Sequence, residues 1–177
     1  MDRNHPPPPF PNIYLIGLMG AGKTSIGQAL ARELGRTFLD SDQEIVTRTG
    51  VSISTIFEIE GEAGFRCRET RIITELTQHT DIVLATGGGV ILAESNRECL
   101  RRTGWVIYLR QPPEILVTRT LKSRHQRPIL NTGDPQARLR ELFAERDPLY
   151  SSTAHLVLDA PRQGIRDICR YLLRHID

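Results

Sequence analysis

The chain has 177 residues, 39% of them apolar and 25% charged, which suits a single globular domain and excludes a fibre, a long disordered tail or a disulfide scaffold. Lys and Arg together outnumber Asp and Glu by 23 to 21, a net charge of +2, so the basic stripe of a nucleic-acid binder is missing. No apolar run approaches the ~20 residues that cross a bilayer, and the three separated cysteines (Cys67, Cys99, Cys169) read as reduced thiols, so a cytoplasmic protein is expected.

Residues 1–11 form a proline-rich segment, expected to be a disordered leader without the apolar core of a signal peptide. The folded unit is expected over 12–177. Asn12-Ile13-Tyr14-Leu15-Ile16 is a short apolar run ended by Gly17, the pattern of a buried strand. From Lys23 to Leu34, apolar residues recur at helical spacing through Ile26, Ala29 and Leu30, and Gly35 closes the helix. Thr37-Phe38-Leu39 predicts a second strand running into Asp40-Ser41-Asp42, with Ser41 or Asp42 capping a helix over about 43–48. A further helix is predicted over 62–79. Strands follow at 82–85, 105–109 and 155–158, the first running into Thr86 and the triplet Gly87-Gly88-Gly89. Helices are predicted around 113–121, 134–145 and 163–175. Strands alternating with helices make a five-stranded parallel sheet covered on both faces, a three-layer α/β/α sandwich. The polar stretch 122–134 is expected to be a mobile surface loop.

Gly17-Leu18-Met19-Gly20-Ala21-Gly22-Lys23-Thr24 matches G-x-x-x-x-G-K-[ST], after a predicted strand and at the opening of a predicted helix. Glycines there let backbone N–H groups fold round phosphates, and the helix N-terminus adds its positive dipole end. Gly20, Ala21, Gly22, Lys23, Thr24 and Ser25 are therefore the expected nucleotide site. Lys23 is placed for the β- and γ-phosphates and the Thr24 hydroxyl for Mg²⁺. A plain glycine turn explains neither Lys23 nor Thr24. The strand at 82–86 lacks the acidic end that usually supports the metal, which leaves Asp40 or Asp42. An N-K-x-D element that would read guanine is absent.

The acceptor is suggested by a resemblance. Gly17–Ser25, Leu39-Asp40-Ser41-Asp42, Gly61-Glu62-x-x-Phe65-Arg66-x-x-Glu69, Thr86–Gly89, Arg127-Pro128-x-Leu130 and Glu145-Arg146-x-Pro148-Leu149-Tyr150 resemble, in this order, the shikimate kinase family. The resemblance implies the P-loop fold of the nucleoside-monophosphate kinases, with a lid at about 122–134. It implies transfer of the γ-phosphate of ATP to the 3-hydroxyl of shikimate, a step of chorismate and aromatic amino acid biosynthesis. By the same resemblance, Asp42 binds the substrate hydroxyls and acts as base or orienting group, and Asp40 supports Mg²⁺ through water. Arg66 and Arg146 hold the shikimate carboxylate, Gly88 offers a backbone N–H to the hydroxyl side, Arg127 closes over the phosphates and the loop at Gln163 packs on adenine. A monomer working on ATP and shikimate is implied, with no membrane or nucleic-acid partner.

Each residue has a plainer reading. Asp42 can be an N-cap, a role worth ~1 kcal/mol. Arg66 stands at helix ion-pair spacing from Glu62 and Glu69, Arg146 lies near the predicted end of its helix, and Arg124 reads as a solvated loop charge. Gly87–Gly89 can be a loose turn, although glycines at the carboxyl end of a buried strand suit close approach of backbone to ligand. Trp105 reads as core and the five histidines as surface residues. Arg119 stands just before the lid, where family members carry an arginine that stacks on adenine, but lid spacing leaves it unassigned. Two rival functions share the cradle: another small-metabolite kinase, acting on gluconate or a nucleoside monophosphate, and a non-catalytic nucleotide-binding regulator.

Overall fold

In the computed structural model of the protein, residues 11–122, 134–159 and 164–176 are described. Five strands form one parallel sheet: β1 (Ile13–Ile16), β2 (Thr37–Asp40), β3 (Ile82–Ala85), β4 (Trp105–Arg110) and β5 (Leu156–Asp159), in the order β2-β3-β1-β4-β5. β1 and β3 are buried at every residue, as strands covered on both faces must be. The intervening helices are α1 (Lys23–Leu34), α2 (Ser41–Thr49), α3 (Ile53–Leu76), α4 (Glu94–Thr103), α5 (Pro113–Lys122), α6 (Pro135–Thr153) and α7 (Ile165–Leu173).

Alternation along β1 sorts the helices into two layers. Leu15 faces α1, where a Cβ on Gly27 would approach its side chain to 3.2 Å. Its neighbour Tyr14 points the other way, donating from its hydroxyl to the Thr103 carbonyl at the end of α4. Glycine at 27 lets α1 settle on Leu15 and Phe38. Glycine at 104 makes room for the Tyr14 ring on the opposite face. The expected three-layer sandwich and its five strands are therefore present.

Several local expectations are corrected. The cap of α2 is Asp40, whose Oδ1 accepts the N–H groups of Asp42 and Gln43, and not Ser41 or Asp42. α3 begins nine residues before the predicted start and is kinked at Gly61, whose φ of 70° and ψ of −176° are not helical. A short 3₁₀ turn (Val90–Leu92) and the whole of α4 follow the glycine triplet where no element was predicted. α6 runs on through Pro148 to Thr153, so Arg146 lies inside the helix and not near its end. His155 is half-buried rather than a surface residue, its Nδ1 accepting the Val106 N–H.

Candidate functional site

Three loops leave the carboxyl ends of β1, β2 and β3, the central and edge strands on one side of the sheet, and meet above it. The first is the glycine loop 17–22. Gly17, Gly20 and Gly22 have φ of 144°, 79° and 95°, values that favour glycine strongly. At Gly17 a side chain would also stand 2.9 Å from the Leu109 carbonyl oxygen. The loop delivers the chain into α1 with no side-chain cap on that helix, which leaves its first turn open to an anion. Lys23 Nζ donates to the carbonyls of Gly17 (2.6 Å) and Leu18 (2.9 Å), lying back along the loop. The Thr24 hydroxyl donates to Asp40 Oδ2 at 2.9 Å.

Asp40 thus has two tasks. One oxygen caps α2, which locks the carboxylate, and the other faces Thr24. A hydroxyl and a carboxylate oxygen side by side are the donor set from which Mg²⁺ takes one or two protein ligands, with phosphates and water completing its shell. Among the described residues no cluster of three His, Cys, Asp or Glu offers a denser metal site.

The second and third loops carry the acids and the glycine triplet. Ser41, fully buried, accepts the Gly87 N–H at 2.9 Å and so ties the Asp-Ser-Asp turn to the triplet. A Cβ on Gly87 would lie 2.5 Å from Asp42 Oδ1 and 2.9 Å from Glu69 Oε1, and one on Gly89 would collide with the Arg66 guanidinium. The triplet is therefore no loose turn: three charged side chains from α2 and α3 press against it. Arg66 Nη1 donates to Glu69 Oε2 at 2.7 Å, and its Nη2 reaches Glu62 at 3.3 Å. From α6, Arg146 Nη1 and the Tyr150 hydroxyl both donate to the Gly88 carbonyl. Gly88 is also close to the first loop, since a Cβ on it would stand 3.5 Å from the Met19 N.

Asp42, Arg66, Gly88 and Arg146 are thus brought together beside the glycine loop, with Glu69 among them. Glu69 is 1% exposed, and burial raises its carboxyl above the ordinary range, against the pull of Arg66 and with a push from Asp42. Its pair with Arg66 is not the surface ion pair that the spacing alone allowed. Tyr150 is fully buried and its phenol is likewise raised by burial. Sequence spacing missed Tyr150 as a partner of Gly88, although it stands four residues after Arg146 and hence on the same helical face. Arg119 lies against the glycine loop, its Nη1 4.0 Å from where a Gly22 Cβ would be. Arg124, Arg127 and Gln163 lie outside the described residues, as does most of the expected lid.

A strand–glycine loop–helix cradle at the carboxyl edge of a β2-β3-β1-β4-β5 sheet, beside a cluster of acids and arginines, defines a P-loop phosphotransferase that acts on a small anionic molecule. A family model described as shikimate kinase matches residues 19–177. Two shikimate kinases, from Thiobacillus denitrificans and Dechloromonas aromatica, are each 55% identical to this chain over 166 residues, 94% of this chain and 90% of theirs. A solved shikimate kinase from Acinetobacter baumannii, in complex with shikimate, superposes with a TM-score of 0.91 at 48% identity, over 95% of this chain and 93% of that one. The chain belongs to the shikimate kinase family. A gluconokinase from Sinorhizobium meliloti, with a TM-score of 0.56 at 18% identity, shares the fold alone.

Proposed function

We propose that this chain is an ATP:shikimate 3-phosphotransferase, converting shikimate and ATP to shikimate 3-phosphate and ADP on the route to chorismate. The observation that carries the reading is the crowding of Asp42, Glu69, Arg66 and Arg146 round Gly87–Gly89, within reach of the phosphate loop. Shikimate has a carboxylate at one end and three hydroxyls at the other, and a pocket with guanidinium and carboxylate groups matches both ends.

In this reading Arg66 and Arg146 take the carboxylate, while Asp42 and the Gly88 N–H hold the hydroxyl side. Asp42 receives the proton of the 3-hydroxyl as its oxygen attacks the γ-phosphorus and the bond to ADP breaks. Lys23 swings from the loop carbonyls to the β- and γ-phosphates, and the N–H groups of Gly20, Ala21, Gly22, Lys23, Thr24 and Ser25 cradle the oxygens. Thr24 and Asp40 would hold Mg²⁺, which supplies charge neutralisation along the phosphate chain. Arg127 over the phosphates and Gln163 beside adenine stay in the proposal on the family pattern alone. The three free cysteines fit a reducing cytoplasm, and among the described residues no helix is long and apolar enough to cross a membrane. A monomer of 20.0 kDa is proposed, which size-exclusion chromatography tests.

The decisive assay is coupled detection of ADP with shikimate as the only acceptor, run beside gluconate and AMP. Turnover with shikimate alone is expected. Turnover with either rival acceptor and none with shikimate, or none with any, overturns the reading.

A further inference from the structure

Three consecutive glycines are the least self-restrained backbone a chain can contain, yet Gly87–Gly89 must hold one shape to offer an N–H to a substrate. Its peptide planes are fixed from outside, one by one. The Gly87 N–H is held by Ser41 Oγ at 2.9 Å. The Gly87 carbonyl accepts the Val90 N–H at 3.2 Å, and the Gly89 carbonyl accepts the Leu92 N–H at 3.0 Å. The peptide between Gly88 and Gly89 is held from α6, where the Gly88 carbonyl accepts Arg146 Nη1 at 3.3 Å and the Tyr150 hydroxyl.

Those two donors are not equivalent. Arg146 is the group proposed to turn to the substrate carboxylate, and its bond to Gly88 is already long. The Tyr150 hydroxyl has no such second task. Its ring is fully buried and stacked on Tyr108 at 4.8 Å between centroids, and the Tyr108 hydroxyl is itself fixed by donating to Asp147 at 2.9 Å.

We infer that Tyr150 is a positioning residue for the phosphoryl acceptor, its hydroxyl pinning the Gly88 carbonyl so that Arg146 is free to bind substrate without releasing the glycine loop. Because Gly88 also lies against the phosphate loop near Met19 N and the Gly17 carbonyl, the same bond sets the separation between acceptor and nucleotide. The inference rests on the shikimate kinase reading above.

Tyr150→Phe keeps the ring and its stack and removes only the donor; Tyr108→Phe removes a hydroxyl from the same stack that does not touch Gly88. For Tyr150→Phe the shikimate KM is expected to rise about five- to tenfold, the upper figure being ~1.4 kcal/mol, with the ATP KM unchanged. Tyr108→Phe is expected to leave both constants within about twofold. A shikimate KM unchanged in Tyr150→Phe, or raised equally by Tyr108→Phe, overturns the inference and leaves Tyr150 a packing residue. Should Tyr150→Phe fail to fold, 3-fluorotyrosine at position 150 of the full chain serves instead: its ¹⁹F resonance is expected to move with shikimate and not with ADP. An unmoved resonance also overturns the inference. The unmutated enzyme, assayed alongside, keeps the failures apart. No turnover of shikimate by it removes the functional reading, whereas normal turnover with an unaffected Tyr150→Phe removes this inference only.

Discussion

A carboxyl as deeply buried as that of Glu69 persists in a fold only with partners, and its partners here are Arg66 and the edge of the glycine triplet. One of its oxygens, Oε1, has no hydrogen-bond partner and faces Gly87 and Asp42. Burial raises its pKa despite the arginine, so the native protein keeps this proton to higher pH than the unfolded chain does. The stability Glu69 contributes is therefore complete below the ordinary carboxylate range and is lost as pH rises through its folded value. Thermal melts between about pH 4 and 7 should show the parent losing ground to Glu69→Gln as pH rises. Parallel profiles for the two proteins would mean that Glu69 titrates as an exposed carboxyl does. Asp42 is half-buried, and in the proposed function it is the group that meets the acceptor hydroxyl. Asp42→Asn preserves shape and cap, since the α2 cap is Asp40, and should leave ATP affinity intact while kcat falls about 10²-fold or more. Unchanged turnover would remove Asp42 from the mechanism.

At the scale of elements, α1 and β3 were legible to the residue because their patterns are unmixed: a one-sided apolar stripe ended by Gly35, and a wholly apolar run. The elements that build the site were harder to read, and for a common reason. α3 turns Glu69 inward and α6 turns Arg146 inward, so the stripe that announces a helix is interrupted by the side chains that gather at the glycine triplet. Glycine at 61 and proline at 148 read as boundaries in a single sequence, and here both lie within helical segments. α4 was missed because its polar run Glu94–Arg102 buries little besides Asn96 and Leu100. Five of the six ordered motifs supply residues to the cluster round the glycine triplet and the glycine loop, the motif at Arg127 lying outside the described residues. The cap of α2 and the anchor at Gly88, however, are matters of three-dimensional aim that no spacing encodes. Gly61 lets α3 turn so that Phe57 can stack on Phe65 at 4.7 Å, next to Arg66. Nothing lies within 4 Å of where a methyl on Gly61 would point, so Gly61→Ala costs backbone strain alone. A loss of about 1–2 kcal/mol is expected, lowering Tm by roughly 2–8 °C. An unchanged Tm would show the kink relaxing into continuous helix.

For the whole molecule, the strand order decides where the two substrates meet. From β1 the chain crosses to β2 on one side of the sheet, and from β3 it crosses back past β1 to β4 on the other, so connections diverge above β1. A crevice opens at such a divergence, at the carboxyl ends of the strands. Here the phosphate loop lines it from β1 and the acid and glycine loops line it from β2 and β3. In the proposed function, binding energy from either substrate is delivered to the same central strands, while the charged groups proposed to collect it stand on different elements: Lys23 on α1 for the nucleotide, Arg66 on α3 for the acceptor. That separation predicts a double dissociation in ligand-linked stability. A ligand at 100 times its Kd stabilises the native state by about 2.7 kcal/mol, which for a protein of this size raises Tm by roughly 5–11 °C. Arg66→Ala should lose most of the shift caused by shikimate and keep that caused by ADP with Mg²⁺, whereas Lys23→Ala should do the reverse. Scanning calorimetry of both variants with each ligand reads all four values. Loss of both shifts in both variants would mean that the two groups serve one undivided site, and the assignment of acceptor and nucleotide to separate loops would fall.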